Sequence, residues 1–203
     1  GGEHLYRVAL ALRPDHPIAY LELAWELDHL DIDLAAAVDL FARAVDLRPE
    51  DGLDYFYLGH ALRRLGDLDG AAAAQAESVR RLPLEARPHK ELAVILREKG
   101  ALDRALEEFR RALAMNPSYD IARQEYAEVL SERGRLDEAL SELRTARAHD
   151  EAARSGWDSA SAKVLLDHGD YEGAVREMHR TLPASVYAVL PLHEHGVRME
   201  DFL

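Results

Sequence analysis

The sequence predicts an all-α fold, a stack of antiparallel helix pairs, and three residue series predict it. Prolines stand at 14, 49, 83 and 117, spaced by 35, 34 and 34 residues. Alanines 37, 71, 105, 139 and 174 recur at intervals of 34, 34, 34 and 35, and glycines 66, 100, 134 and 169 at 34, 34 and 35. A fixed period of this size marks a repeat architecture. Because the series keep step, each repeat carries its glycine, alanine and proline at set places.

Residues 1–16 read as the second helix of an incomplete leading repeat, with Tyr6, Ala9 and Pro14 in the pattern. The first full repeat covers 17–51. Tyr20, Leu23, Ala24 and Leu27 form the apolar stripe of its first helix, and Ala37, Phe41 and Ala44 that of its second. Its one extra residue falls between Leu27 and Ala37, in a turn, where insertion costs little. The second repeat, 52–85, shows the local logic most fully. Tyr55, Leu58, Gly59 and Leu62 fall at i, i+3, i+4 and i+7, followed after a break by Leu68, Ala71, Ala72, Gln75 and Val79. Gly66 can take the positive φ that ends a helix, and Asp67 or Asp69 can cap the next one. Pro83 then stops the second helix, because it has no N–H to continue the ladder.

The third repeat, 86–119, repeats the scheme with Leu92, Ala93, Leu96, Ala105, Phe109 and Ala112, and the fourth, 120–153, with Tyr126, Ala127, Leu130, Ala139 and Ala146. Residues 154–183 form a degenerate fifth repeat. Gly169, Tyr171, Ala174 and Met178 keep the frame, while the leading helix around Trp157 is out of step by one residue and Glu151 replaces the proline. Residues 184–203 are expected to form a C-terminal capping helix, broken at Pro191, or the start of a following segment. A start in mid-repeat suggests a piece of a longer protein.

Composition bounds function. With 48% apolar and 31% charged residues among 203, the chain belongs with globular proteins. No stretch approaches the roughly 18 apolar residues of a membrane span. The absence of cysteine excludes disulfides and thiolate metal sites. A formal charge of -13 argues against nucleic acid and anionic membrane as partners, since polyanions would repel the chain. A soluble protein is expected, with the cytoplasm as its compartment. The acid is uneven: residues 1 to 50 carry 4 Lys and Arg against 10 Asp and Glu, and residues 51 to 100 carry 8 against 8.

The period, the two helices and the recurring Leu, Gly or Ala, Ala and Pro positions together resemble the tetratricopeptide repeat (TPR) family. The resemblance implies a right-handed superhelical solenoid whose inner groove, lined by the first helix of each repeat, binds peptide segments. At the groove-facing offsets stand Leu21, Trp25 and His29; Phe56, His60, Arg63 and Arg64; Lys90, Val94, Arg97 and Glu98; and Gln124, Glu128 and Glu132, with Arg87 at the mouth of the third repeat. Trp25 and Phe56 are expected to anchor an apolar side chain, and Arg63, Arg64, Arg87, Lys90 and Arg97 to meet carboxylates of an acidic protein or peptide partner. The bland reading of these charges is a set of solvated helix faces. A family subclass clamps chaperone carboxylates with Lys and Asn; this chain has Leu21, Trp25, Tyr57, His60, Arg87 and Glu91 at those offsets, so no clamp is assigned.

Chemistry of other kinds finds little support. His168, His179, His193 and His195 crowd the C-terminal quarter, yet His193 and His195 at i and i+2 do not share a helix face, so no metal is expected. The sequence holds no Gly-x-Ser-x-Gly elbow, phosphate-binding loop or cysteine nucleophile, and neither enzyme activity nor a cofactor is expected. Two further readings stand beside the peptide groove. One makes the chain the substrate-recruiting part of a larger enzyme such as a transferase. The other is homodimerisation through the C-terminal region, with Val186, Val189, Leu190 and Leu192 in contact.

Overall fold

A computed structural model describes residues 2–149 and 154–178. All regular structure among them is helical: α1 (Gly2–Leu12), α2 (Pro17–His29), α3 (Leu34–Leu47), α4 (Gly52–Leu65), α5 (Leu68–Arg81), α6 (Ala86–Glu98), α7 (Leu102–Met115), α8 (Asp120–Glu132), α9 (Leu136–His149), α10 (Arg154–Asp167) and α11 (Tyr171–Met178). The chain divides into two compact units, Gly1–Met115 and Asn116–Leu203. In the first, α2 pairs with α3, α4 with α5 and α6 with α7, and each pair packs on the next through α3 against α4 and α5 against α6. In the second, α8 pairs with α9, α10 with α11, and α9 packs on α10. The expected C-terminal helix and its apolar contacts lie outside the described residues.

The turns follow from their residues. Gly66, Gly100, Gly134 and Gly169 have φ of 90°, 76°, 72° and 77°, the left-handed region that L side chains avoid. The first repeat has no glycine there. Asp31, 35 residues before Gly66, takes φ 55° instead, a conformation that Asp tolerates better than most residues. Of the two candidate caps for α5, Asp67 is the one used: its Oδ1 accepts from the Gly70 N–H at 2.9 Å. Asp33 and Asp51 cap α3 and α4 in the same way.

Small residues set the helix spacing. Ala24, Ala37, Ala71, Ala93 and Ala105 are fully buried. A Cβ added to Gly59 would lie 3.3 Å from Ala71 O, Gln75 N and Gln75 Oε1, so α4 and α5 approach closely enough that a side chain there would need its neighbours to give way slightly. Phe41 then fills the space between pairs, stacked on Tyr57 of α4 with centroids 6.0 Å apart. In the second repeat the large position of the second helix is Gln75, fully buried, and its amide finds no protein hydrogen-bond partner. Ser78, three residues on, donates to Gly52 O at 2.8 Å.

Polar ties cross between repeats. Arg48, just after α3, donates through Nε and Nη2 to the buried Asp54 carboxylate of α4 at 3.0 and 2.5 Å. Burial pushes the Asp54 carboxyl above its ordinary value of 3.8; the Arg48 charge pulls it down and Asp51 adds to the rise. Within the third repeat, His89 Nδ1 lies 2.6 Å from Glu108 Oε2, both side chains buried between α6 and α7.

Candidate functional site

In the first unit, Leu21, Glu22 and Trp25 of α2, Phe41 of α3 and Tyr57 of α4 line a pocket of about 290 Å³. Helical spacing places Leu21 and Trp25 one turn apart on one face, and the α3–α4 packing brings Phe41 and Tyr57 beneath them. Trp25 is 50% exposed. His29, one turn further along, stacks on it at 4.6 Å with the rings 11° from parallel. Phe56 meets Tyr57 edge-on at 5.6 Å, and the exposed Arg87 places its guanidinium 5.6 Å above the Phe56 ring. Thus Leu21, Trp25 and His29 share one neighbourhood, and Phe56 and Arg87 another beside it on α4 and α6.

The basic residues have a different environment from the one the sequence suggests. Arg64 donates to Asp28 O at 2.7 Å, Asp28 Oδ1 at 2.6 Å and Asp31 Oδ1 at 2.9 Å, tying α4 to the end of α2. Arg63 donates to Glu98 Oε1 at 2.8 Å, and Lys90 to Glu91 Oε1 at 2.9 Å. His60 stands 4.0 Å from the Asp28 carboxylate. Three cations read from the sequence as partners of foreign carboxylates therefore hold carboxylates of this chain. Arg97 lies half-buried in the last turn of α6. Gln124, Glu128 and Glu132 are on α8, in the second unit.

Sequence reasoning missed Glu22 and did not place Phe41 in a binding surface. Glu22 stands three residues before Trp25, a spacing that puts both on one face. Phe41 was legible only as core, because its contact with Tyr57 depends on how successive pairs stack. Among the described residues no group of three or more His, Asp and Glu could hold a metal ion. His168 Nδ1 lies 2.9 Å from Val164 O, a contact within its own helix end; His179, His193 and His195 lie outside the described residues. No helix among the described residues is long and apolar enough to cross a membrane.

Comparison with known proteins agrees with this architecture. A family model for the tetratricopeptide repeat matches residues 32–86 and 56–120, and a second of the same description matches 96–164. No curated protein matches the sequence. Among solved structures, the chain is similar to PilW, a widely conserved type IV pilus biogenesis factor, with 18% identity, TM-score 0.76, and 86% of this chain and 80% of that one covered. It is similar to YrrB, a TPR protein with an unusual peptide-binding site, with 19% identity, TM-score 0.68 and coverage of 86% and 89%. It is also similar to TTC0263, a thermophilic TPR protein of Thermus thermophilus, with 26% identity, TM-score 0.63 and coverage of 82% and 90%. Helix pairs recurring at this period, left-handed residues at their turns, and family matches that together run from residue 32 to 164 make this chain a member of the tetratricopeptide repeat family.

Proposed function

We propose that this chain is a protein-interaction scaffold that grips a segment of a partner protein on the face formed by α2 and α4, with Trp25 as the anchor. The observation that carries the reading is the half-exposed Trp25 beside an aromatic pocket open between two successive pairs. Folding alone gives no reason for it: a tryptophan whose only duty was core packing would be buried, as Trp157 is in the second unit. Aromatic anchors in pockets with polar rims are where binding energy concentrates. The TPR family context supports a scaffold in general, and YrrB, a TPR protein with an unusual peptide-binding site, carries such a site on the same fold.

Affinity capture from native lysate, with mass spectrometry of retained proteins, tests the assignment against a Trp25→Ala variant. Hot-spot truncations cost at least about 2 kcal/mol, roughly thirtyfold in affinity. Partners retained by the wild type should therefore be depleted from the variant while its helical circular dichroism stays the same. Equal retention by a folded Trp25→Ala protein would refute the site.

A further inference from the structure

The pocket beneath Trp25 has the chemistry of a cation receptor. Three of its five lining residues are the aromatics Trp25, Phe41 and Tyr57, one is Leu21, and the remaining one is the carboxylate Glu22. Aromatic faces attract a guanidinium or ammonium through the ring quadrupole, and a carboxylate at the rim supplies the charge-assisted hydrogen bond. This chain already uses the same device internally. Arg87 lies over Phe56, and Arg81 places its guanidinium 4.8 Å above Tyr55.

The electrostatic surroundings point the same way. Glu22 is exposed, and its carboxylate accepts a long contact from the Tyr6 hydroxyl at 3.5 Å. Partial burial and the charges of Glu22 and Glu26 push the Tyr6 phenol up. The nearest cations of α4 are committed elsewhere, Arg64 to Asp28 and Asp31 and Arg63 to Glu98. The first fifty residues, which include α2 and α3, carry 4 Lys and Arg against 10 Asp and Glu.

Resting on the groove reading above, we propose that the α2–α4 pocket takes an arginine side chain from a basic segment of the partner, its guanidinium between the Trp25 and Tyr57 rings and the Glu22 carboxylate and its aliphatic stem on Leu21, with the buried Phe41 as the floor. This reverses the partner charge that the arginine cluster suggests from sequence. The reversal follows from pairing, since Arg63 and Arg64 already hold carboxylates of this chain.

The test is fluorescence anisotropy of labelled Gly/Ser peptides carrying arginine, aspartate or leucine at matched positions, titrated with the full chain and with Glu22→Gln and Trp25→Ala variants. The arginine peptide should bind most tightly. Loss of a charge-assisted contact should weaken it about tenfold in Glu22→Gln, a conservative change at an exposed position, and Trp25→Ala should weaken it further. Trp25-dependent binding of the aspartate or leucine peptide, with the arginine peptide no tighter, would overturn the charge assignment and leave the groove standing. So would lysate capture that depends on Trp25 while the arginine peptide shows no binding. If neither peptides nor lysate proteins respond to Trp25→Ala, the groove reading fails and this proposal with it.

Discussion

Asp54 shows how one residue balances opposing forces. Its carboxylate is fully buried at the first turn of α4, where it receives two hydrogen bonds from Arg48. Desolvation outweighs the arginine, so the folded carboxyl keeps its proton to higher pH than the ordinary 3.8. Between that value and the folded midpoint the native state binds more protons than the unfolded chain, and stability contributed by this residue falls as pH rises. Above both values its contribution is constant. An NMR titration of the Asp54 carboxyl should give a midpoint above 3.8; a midpoint below it would mean that the Arg48 charge wins. Neither the burial nor the pairing was legible beforehand, because Arg48 and Asp54 sit on either side of a turn and meet only when α4 folds back.

Helix positions and turn chemistry were largely legible at the scale of the element. Gly66 ends α4 with φ 90°, and Asp67 caps α5, because local backbone rules act within a few residues and leave their mark in sequence. Asp31 shows the limit of that reading, since a left-handed aspartate has no composition signal comparable to glycine. Gln75 shows another. Its spacing with Ala71 and Val79 placed it on the inner stripe of α5, and the structure buries it fully at the place where Phe41 and Phe109 stand in neighbouring repeats. An amide left without a partner in the interior costs about 1–3 kcal/mol. Gln75→Leu should accordingly stabilise the chain by about 1–3 kcal/mol in urea unfolding, provided that the side chain settles beside Gly59. A lower midpoint for the variant would show that the amide is satisfied in solution or that leucine strains the close α4–α5 approach.

For the molecule as a whole, a formal charge of -13 acts beyond any single contact. A basic segment approaching the acidic first quarter is drawn in by the summed field, and salt screens that attraction over about 8–10 Å near physiological ionic strength. Association of the arginine peptide should slow as salt rises, with a smaller change in its dissociation rate, as stopped-flow anisotropy would measure. A rate of association indifferent to salt would show that the field does not steer the ligand.

The period, the helical character, the glycine turns and hence the family were determined by sequence alone, because each depends on interactions repeated within a few residues of the chain. Which charges the chain pairs within itself was decided by tertiary structure. Arg63 and Arg64 look like free cations in a string of letters, and only the packing of α4 against α2 and α6 gives them Asp28, Asp31 and Glu98. The same packing leaves Trp25 half-exposed and sets Phe41 and Tyr57 beside Glu22. Charge recognition depends on which groups remain unneutralised after folding, and that is a property of distances rather than of order along the chain.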